Sequence, residues 1–225
     1  MKPIVLSVIV LFAVLFFLRN VFGFFKIMFS AKRPAFRTDQ LFERVKGIFV
    51  YVLGQKRILK NYTWAGIEHF MIFWGFLIIT LGSIEIVVMG YIPGFAIFGF
   101  LGGSAQDMFL LTLDIVQTLV LIALVMGVLN RTVIPSGKRR EVNSIDAVVI
   151  LGMILGLMVT DFGFRASKIA MGLEPSSWLP VSSVWASLFL SDINITTAAF
   201  STEFFYWIHV FLLFAFLNYL PYSKH

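Results

Sequence analysis

The sequence predicts an all-α fold, an integral membrane bundle of five transmembrane helices, and three observations predict it. Of its 225 residues, 59% are hydrophobic and only 13% charged, and the mean hydropathy is +0.92, which leaves too little polar side chain to coat a soluble globule of this size. Five separate stretches reach the length of about 20 apolar residues that crosses a hydrocarbon core at helical rise. Lys and Arg, finally, are concentrated in alternate connections, the pattern that membrane insertion imposes.

The first span covers about residues 3–25. It starts at Pro3 and ends among Arg19, Phe22, Phe24 and Phe25, with no small-residue cleavage site, so it reads as a retained anchor rather than a signal peptide. The next connection, about 26–64, carries Lys26, Lys32, Arg33, Arg37, Arg44, Lys46, Lys56, Arg57 and Lys60. Within it Leu41, Val45, Ile48, Phe49 and Val52 recur in a helical rhythm, which predicts a segment lying along the membrane surface. The second and third spans cover about 65–90 and 108–130. The connection after them holds Arg131, Lys138, Arg139 and Arg140. The fourth span covers about 144–164 and the fifth about 203–222, and the intervening loop, 165–202, with Pro175 and Pro180, predicts a partly helical cap.

Only Lys2, Arg165 and Lys168 fall on the other side. The positive-inside rule therefore places the N-terminus outside, both basic connections and the C-terminus in the cytoplasm, and the chain in the inner membrane. Tyr91, Trp178, Trp185, Tyr206 and Trp207 then mark the outer interface, and Tyr62, Trp64, Tyr219 and Tyr222 the inner one. The excess of 18 Lys and Arg over 12 Asp and Glu is accounted for by topology, so no nucleic-acid partner is implied. With no cysteine in the chain, it supplies neither disulfides nor iron–sulfur ligands nor a thiol nucleophile. No internal repeat is evident.

All three histidines lie on spans or at their ends: His69 early in the second, His209 in the fifth and His225 at the chain's end. A single intramembrane imidazole can simply hydrogen-bond across helices. Three of three point further, to b-type haem, whose axial ligands are neutral imidazoles on facing helices at one depth. Because the second and fifth spans run in opposite directions, His225 matches His69 by depth. His209, 16 residues earlier, lies about 24 Å further along an ideal helix. Pro221 breaks the helix between them and leaves the angular phase of His225 open.

Several segments carry a resemblance: Leu53-Gly54-Gln55-Lys56-Arg57, Gly66 to Phe76 (GIEHFMIFWGF), Trp207-Ile208-His209, and Pro221-Tyr222-Ser223-Lys224-His225. Over all five spans the chain resembles the cytochrome b (gamma) subunit of respiratory nitrate reductase. It resembles more closely the related membrane domain at the N-terminus of heterodisulfide-reductase-type iron–sulfur oxidoreductases, some of them linked to electron-transfer flavoprotein. The resemblance implies a five-helix bundle that holds haem b and passes electrons between quinone and a cytoplasmic iron–sulfur or flavoprotein partner. It implies His69 as the inner-haem ligand on the second helix and His209 as the outer-haem ligand on the fifth. The family pattern has a second histidine ten residues after the first, where this chain has Ile79, so one haem is expected and a second stays open. The family's inner ligand on the fifth helix would fall two residues past His225, which leaves two alternatives: His225 substitutes for it, or the native chain continues into an iron–sulfur region. Nitrate reduction itself, which requires a molybdenum subunit, is not implied.

Around these histidines, Gly66 and Gly75 could admit a porphyrin to the helix backbone or serve helix packing. Arg57, Lys60 and Lys224 stand at the depth of the inner propionates, where positive-inside anchoring explains them equally well. Met89 and Met158 are alternative axial partners for His209, or apolar filler. Glu85, Asp114, Gln117 and His209 share a depth in the outer half, a costly polar cluster in lipid. Glu85, Asp114 and His209 read as a quinol deprotonation site, or as interhelical hydrogen bonds that fix the bundle, and Asp161 with Arg165 reads as an interfacial pair. Two rival functions stand beside the redox reading: a small transporter or channel lined by the same acids, and a cofactor-free anchor for a cytoplasmic enzyme.

Overall fold

A computed structural model describes residues 1–30, 39–61, 63–132 and 145–222. The five expected spans are all present as helices long and apolar enough to cross a membrane. They are α1 (Lys2–Phe29), α4 (Thr63–Met89), α5 (Gly103–Thr132), α6 (Ile145–Ala170) and α8 (Ile195–Tyr219). The surface segment is α2 (Leu41–Gly47), continued by a π-helical stretch Ile48–Leu53 and by α3 (Lys56–Asn61). Its apolar side chains, among them Leu41, Phe42, Ile48 and Phe49, are exposed, as expected of a helix whose apolar partner is lipid. Trp74 Nε1 donates to Leu53 O at 3.1 Å and ties this segment to α4.

Several helices outrun their expected bounds, and for two of them the structure gives the reason. The fifth span begins at Ile195 because Asn194 caps it, its Oδ1 accepting from the Thr197 N–H at 2.8 Å, a helix start that hydropathy alone does not register. The fourth extends to Ala170, since its charges are neutralised by neighbours within the fold and so do not end the buried stretch. The third starts at Gly103, after a 3₁₀ turn over Gly99–Leu101. In the 165–202 connection the cap is α7 (Pro180–Phe189), with proline at its first position, where the missing N–H costs nothing.

Close helix approach is built from glycines seven residues apart. On α6, a Cβ at Gly163 would lie 2.6 Å from the Phe205 ring and one at Gly156 3.0 Å from Leu212, so α8 packs directly on the α6 backbone. On α4, Gly82 faces Leu113 and Gly75 faces Val120 of α5 in the same manner. Between lipid-solvated helices such van der Waals fit, not hydrophobic transfer, supplies the association energy. The core so formed includes Ile79, Leu113, Val120, Leu157, Met158 and Phe216.

The helix α1 stands apart. Its Leu6 is fully buried against a cluster containing Ile86, Phe164 and Tyr206. Lys2 pairs with Glu203 at 2.6 Å, and the Lys2 Nζ lies 3.7 Å from the Tyr206 ring centre. Most of its other large apolar side chains, such as Val8, Phe12, Leu15 and Phe22, are exposed, which is stable only with lipid around them. Tyr206 is buried here, at the level of the Lys2–Glu203 pair.

Replacing Gly163 with Val should drive α8 off α6 and lower stability by about 1–3 kcal/mol, the usual cost of overpacking. Gly152→Ala, where a Cβ meets nothing within 4 Å, should be neutral or stabilising. Thermal unfolding in detergent, followed by circular dichroism, checks the contrast.

Candidate functional site: a buried charged network and two separated imidazoles

Arg165 is the largest side chain fully removed from the surface. It sits near the end of α6 with its Nε donating to Asp161 Oδ1 at 2.9 Å, one helical turn back. One guanidinium nitrogen, Nη2, lies 3.8 Å from Glu85 Oε1 of α4, and the other, Nη1, lies 3.7 Å from Glu174 Oε2 in the turn after α6. Asp161 also accepts from Gln117 Nε2 of α5. Glu85 Oε2 accepts from the Ile97 N–H at 2.9 Å and from Gln106 Nε2 at 2.8 Å. Glu174 Oε1 pairs with Lys168 at 2.5 Å. Asp161 and Arg165, expected as an interfacial pair, are therefore the centre of a network spanning α4, α5 and α6. That arrangement meets the rule that buried charge must be paired.

Asp114 belongs to a neighbouring element of this architecture. Its Oδ2 accepts from the Val181 N–H at 2.6 Å, and its Oδ1 accepts from the Ser182 N–H at 3.1 Å and the Ser182 hydroxyl at 2.5 Å. It caps the N-terminus of α7 from another helix, with the helix dipole favouring its charge. Both Asp114 oxygens are thereby engaged by α7, which makes it a positioning residue for that helix.

His209 is fully buried on α8. Its Nδ1 lies 3.0 Å from Thr160 Oγ1 and its Nε2 3.1 Å from Ser83 Oγ. The Thr160 hydroxyl is also within 2.8 Å of Gly156 O. If it donates there, it accepts from Nδ1–H, and Nε2 is left as the acceptor for Ser83. A cavity of about 30 Å³ adjoins Ser83, lined by Ile79, Val120, Leu157, Met158, Leu213 and Phe216 among others. That is room for about one water molecule. The packed His209 layer therefore does not fit a porphyrin: both ring nitrogens are bonded and the space is filled by side chains. Met158 lines the cavity, whereas Met89 lies beside Lys168, 3.7 Å from its Nζ.

His69 differs in each respect. It shares one face of α4 with Ile72, Phe76, Ile79 and Ser83, at the alternating three- and four-residue spacing of a helical stripe. Along that stripe Ser83 (2%) and Ile79 (5%) are buried, Phe76 (39%) and His69 are exposed, and Ile72 between them is half-buried. Among the described residues His69 has no hydrogen-bond partner. A bare imidazole inside a span is expensive to leave unpaired, so this residue fits an axial ligand position. Ser83 fixes the level of His209, and His69 lies fourteen residues earlier on α4, about 21 Å away along the axis. The two imidazoles cannot share one iron.

His225 and Lys224 lie outside the described residues. Arg57 is exposed on α3, whose backbone packs on the first turns of α4. Neither glycine singled out for a porphyrin faces open space. A Cβ on Gly66 would meet Ile58 O at 2.9 Å, and Gly75 is filled by Val120, so both serve helix packing. Among the described residues no three His, Cys, Asp or Glu side chains converge to hold a metal ion. Sequence reasoning missed Gln106, Thr160, Ser83 and Glu174, polar residues of ordinary type with no spacing signal; their roles appear only once neighbouring helices are brought together.

The fold and site thus define a multi-pass membrane protein with a buried charged network near one end and an unpartnered imidazole toward the other. No family model matches the sequence, and no solved structure matches it. It is 31% identical, over 188 residues and 83% of its length, to the probable iron-sulfur-binding oxidoreductase FadF of Bacillus subtilis (strain 168). Over 217 residues, 90% of its length, it is 25% identical to the EtfAB:quinone oxidoreductase of Syntrophomonas wolfei. The matched region is 26% of the first relative and 29% of the second, so the chain spans little more than a quarter of either.

Asp114→Ala should strip the cap from α7 and leave two backbone donors unpaired, at about 1–3 kcal/mol. Amide exchange at Val181 and Ser182 should accelerate far more than exchange in α5. Arg165→Leu should be worse, about 3–5 kcal/mol, because it strands carboxylates that the guanidinium compensates. Thermal unfolding of the two variants side by side gives the ranking.

Proposed function

We propose that this chain is a haem b-carrying membrane electron-transfer unit that links the quinone pool to a cytoplasmic iron–sulfur or flavoprotein oxidoreductase. The observation that carries the reading is His69, an exposed imidazole in a membrane span with no hydrogen-bond partner among the described residues. The two similar oxidoreductases, one named as iron–sulfur-binding and the other as acting on quinone, support it. Bound there, haem would supply one-electron transfer across the apolar interior. His69 would hold the iron from α4, with His225 as the expected partner from the C-terminal segment, and Arg57 stands where it could neutralise a propionate. The closed packing around His209 favours one haem over two.

Oxidation of a quinol to a quinone releases two electrons and two protons, so the reaction needs proton acceptors near its ring oxygens. In this proposal Glu85 is the first of those acceptors, while His209, bonded through both nitrogens to Thr160 and Ser83 in a closed layer, and Asp114, which holds α7 in place over the same end, fix the bundle. By the positive-inside rule, the basic residues of the 26–64 and 131–144 connections support a cytoplasmic His69 end and an outer Arg165 end. Electrons would then leave toward a cytoplasmic partner and protons toward the exterior, across the inner membrane. The transporter reading has less support, since the charged groups near Arg165 pair with one another in a closed cluster rather than lining an open path.

Reduced-minus-oxidised absorbance of the detergent-purified protein tests the proposal, with haem counted per polypeptide. One b-type haem per chain is expected, and it should be lost in His69→Ala while membrane insertion and helix content are kept. Full haem retention in that variant would remove His69 as the ligand. A folded wild-type chain that binds no haem would leave the cofactor-free anchor.

A further inference from the structure

Gln55 turns the corner between the π-helical stretch and α3 with φ 45°, in the left-handed region that a residue with a Cβ enters only at a cost. Gln40 makes a similar turn into α2, with φ 54°, but is exposed. Gln55 is only 3% exposed, and its Oε1 is buried with no hydrogen-bond partner among the described residues. Turn geometry accounts for the backbone of both glutamines. It does not account for a buried acceptor left unpaired, an atom that folded chains almost always satisfy.

This corner is fixed against the turns of α4 that carry His69. On one side, Leu53 O accepts from Trp74 Nε1 at 3.1 Å. On the other, the α3 backbone covers Gly66, where a Cβ would lie 2.9 Å from Ile58 O and 3.1 Å from Leu59 Cα. Gln55 falls between those two contacts along its segment, and His69 falls between Gly66 and Trp74 along α4. Residues three apart are neighbours on a helix surface, so the segment lying on Gly66 borders His69. Gln55 O also accepts from the Ile58 and Leu59 N–H groups at 3.0 and 3.1 Å, which holds Gln55 at the start of the turn that covers Gly66. The corner thus sets an unpaired, buried acceptor beside an imidazole that is itself unpaired among the described residues.

We propose that Gln55 is a positioning residue for the haem ligand, its Oε1 accepting from the ring N–H of His69 that faces away from the iron. The inference rests on the assignment of haem to His69. An imidazole that gives one nitrogen to iron keeps its proton on the other. That N–H is normally held by a carbonyl or carboxylate, which fixes the tautomer and ring orientation and makes the ring a stronger donor. A propionate cannot satisfy Oε1, because both groups only accept. The exposed cations that follow, Lys56, Arg57 and Lys60, are the donors suited to propionates, and the neutral amide oxygen is suited to the imidazole.

Haem transfer from the purified full-length chain to excess apomyoglobin, together with redox titration of the bound haem, tests this. Gln55→Leu should weaken haem binding roughly 10–100-fold and raise the midpoint potential, because His69 becomes a poorer donor. A His69→Ala background separates this from a structural role. There Gln55→Leu only removes a buried unpaired acceptor, and the double variant should melt no lower than His69→Ala alone. Lower melting in that background, or haem affinity and potential that Gln55→Leu leaves unchanged, overturns the proposal. A parent chain that binds no haem would overturn the haem assignment and this inference together. Haem that is lost in His69→Ala but indifferent to Gln55→Leu overturns this inference alone.

Discussion

A guanidinium fully withdrawn from solvent, inside a chain otherwise solvated by lipid, constrains everything at its end of the bundle. Arg165 reaches an acid on its own helix, one on α4 and one in the turn beyond α6. Gln117 of α5 joins through Asp161. Displacing any of these helices would strand a charge in a medium that cannot hydrate it. The network therefore specifies the relative position of three spans with a directionality that the apolar contacts lack. The Asp114 cap extends the same logic to α7, which has no other strong polar anchor to α5.

The glycine seams and the network divide the task of holding the bundle. Gly156 and Gly163 on α6, and Gly75 and Gly82 on α4, let neighbouring helices approach until side chains meet backbone. This gives close packing but little choice among nearly equivalent rotations. Charge pairing supplies the choice. Where neither device operates, as along most of α1, large apolar side chains stay exposed. Those are surfaces that lipid covers.

The two histidines show how one residue type takes opposite roles at two depths. His209 is clamped between Thr160 and Ser83, with both nitrogens engaged. His69 lies on the same α4 stripe as Ser83 with nothing bound to it. Of these two histidines, among the described residues, only His69 keeps its nitrogens unbonded and its side chain exposed.

Five spans, their order and the segregation of basic residues were legible in the sequence, because bilayer thickness and hydration cost act on local composition alone. The depth mismatch between His69 and His209 was legible too, since helical rise converts residue number into distance. The start of α8 at Ile195 and the extension of α6 to Ala170 were not, because a side-chain cap and neutralised charges leave no trace in hydropathy. Nor did spacing distinguish Gly75 packed on Val120 from a glycine facing a porphyrin. That Asp114 caps α7, that Arg165 is buried and that Glu85, Asp161 and Glu174 converge on it were decided by the tertiary structure, because each depends on which atoms of distant helices lie within about 4 Å of one another.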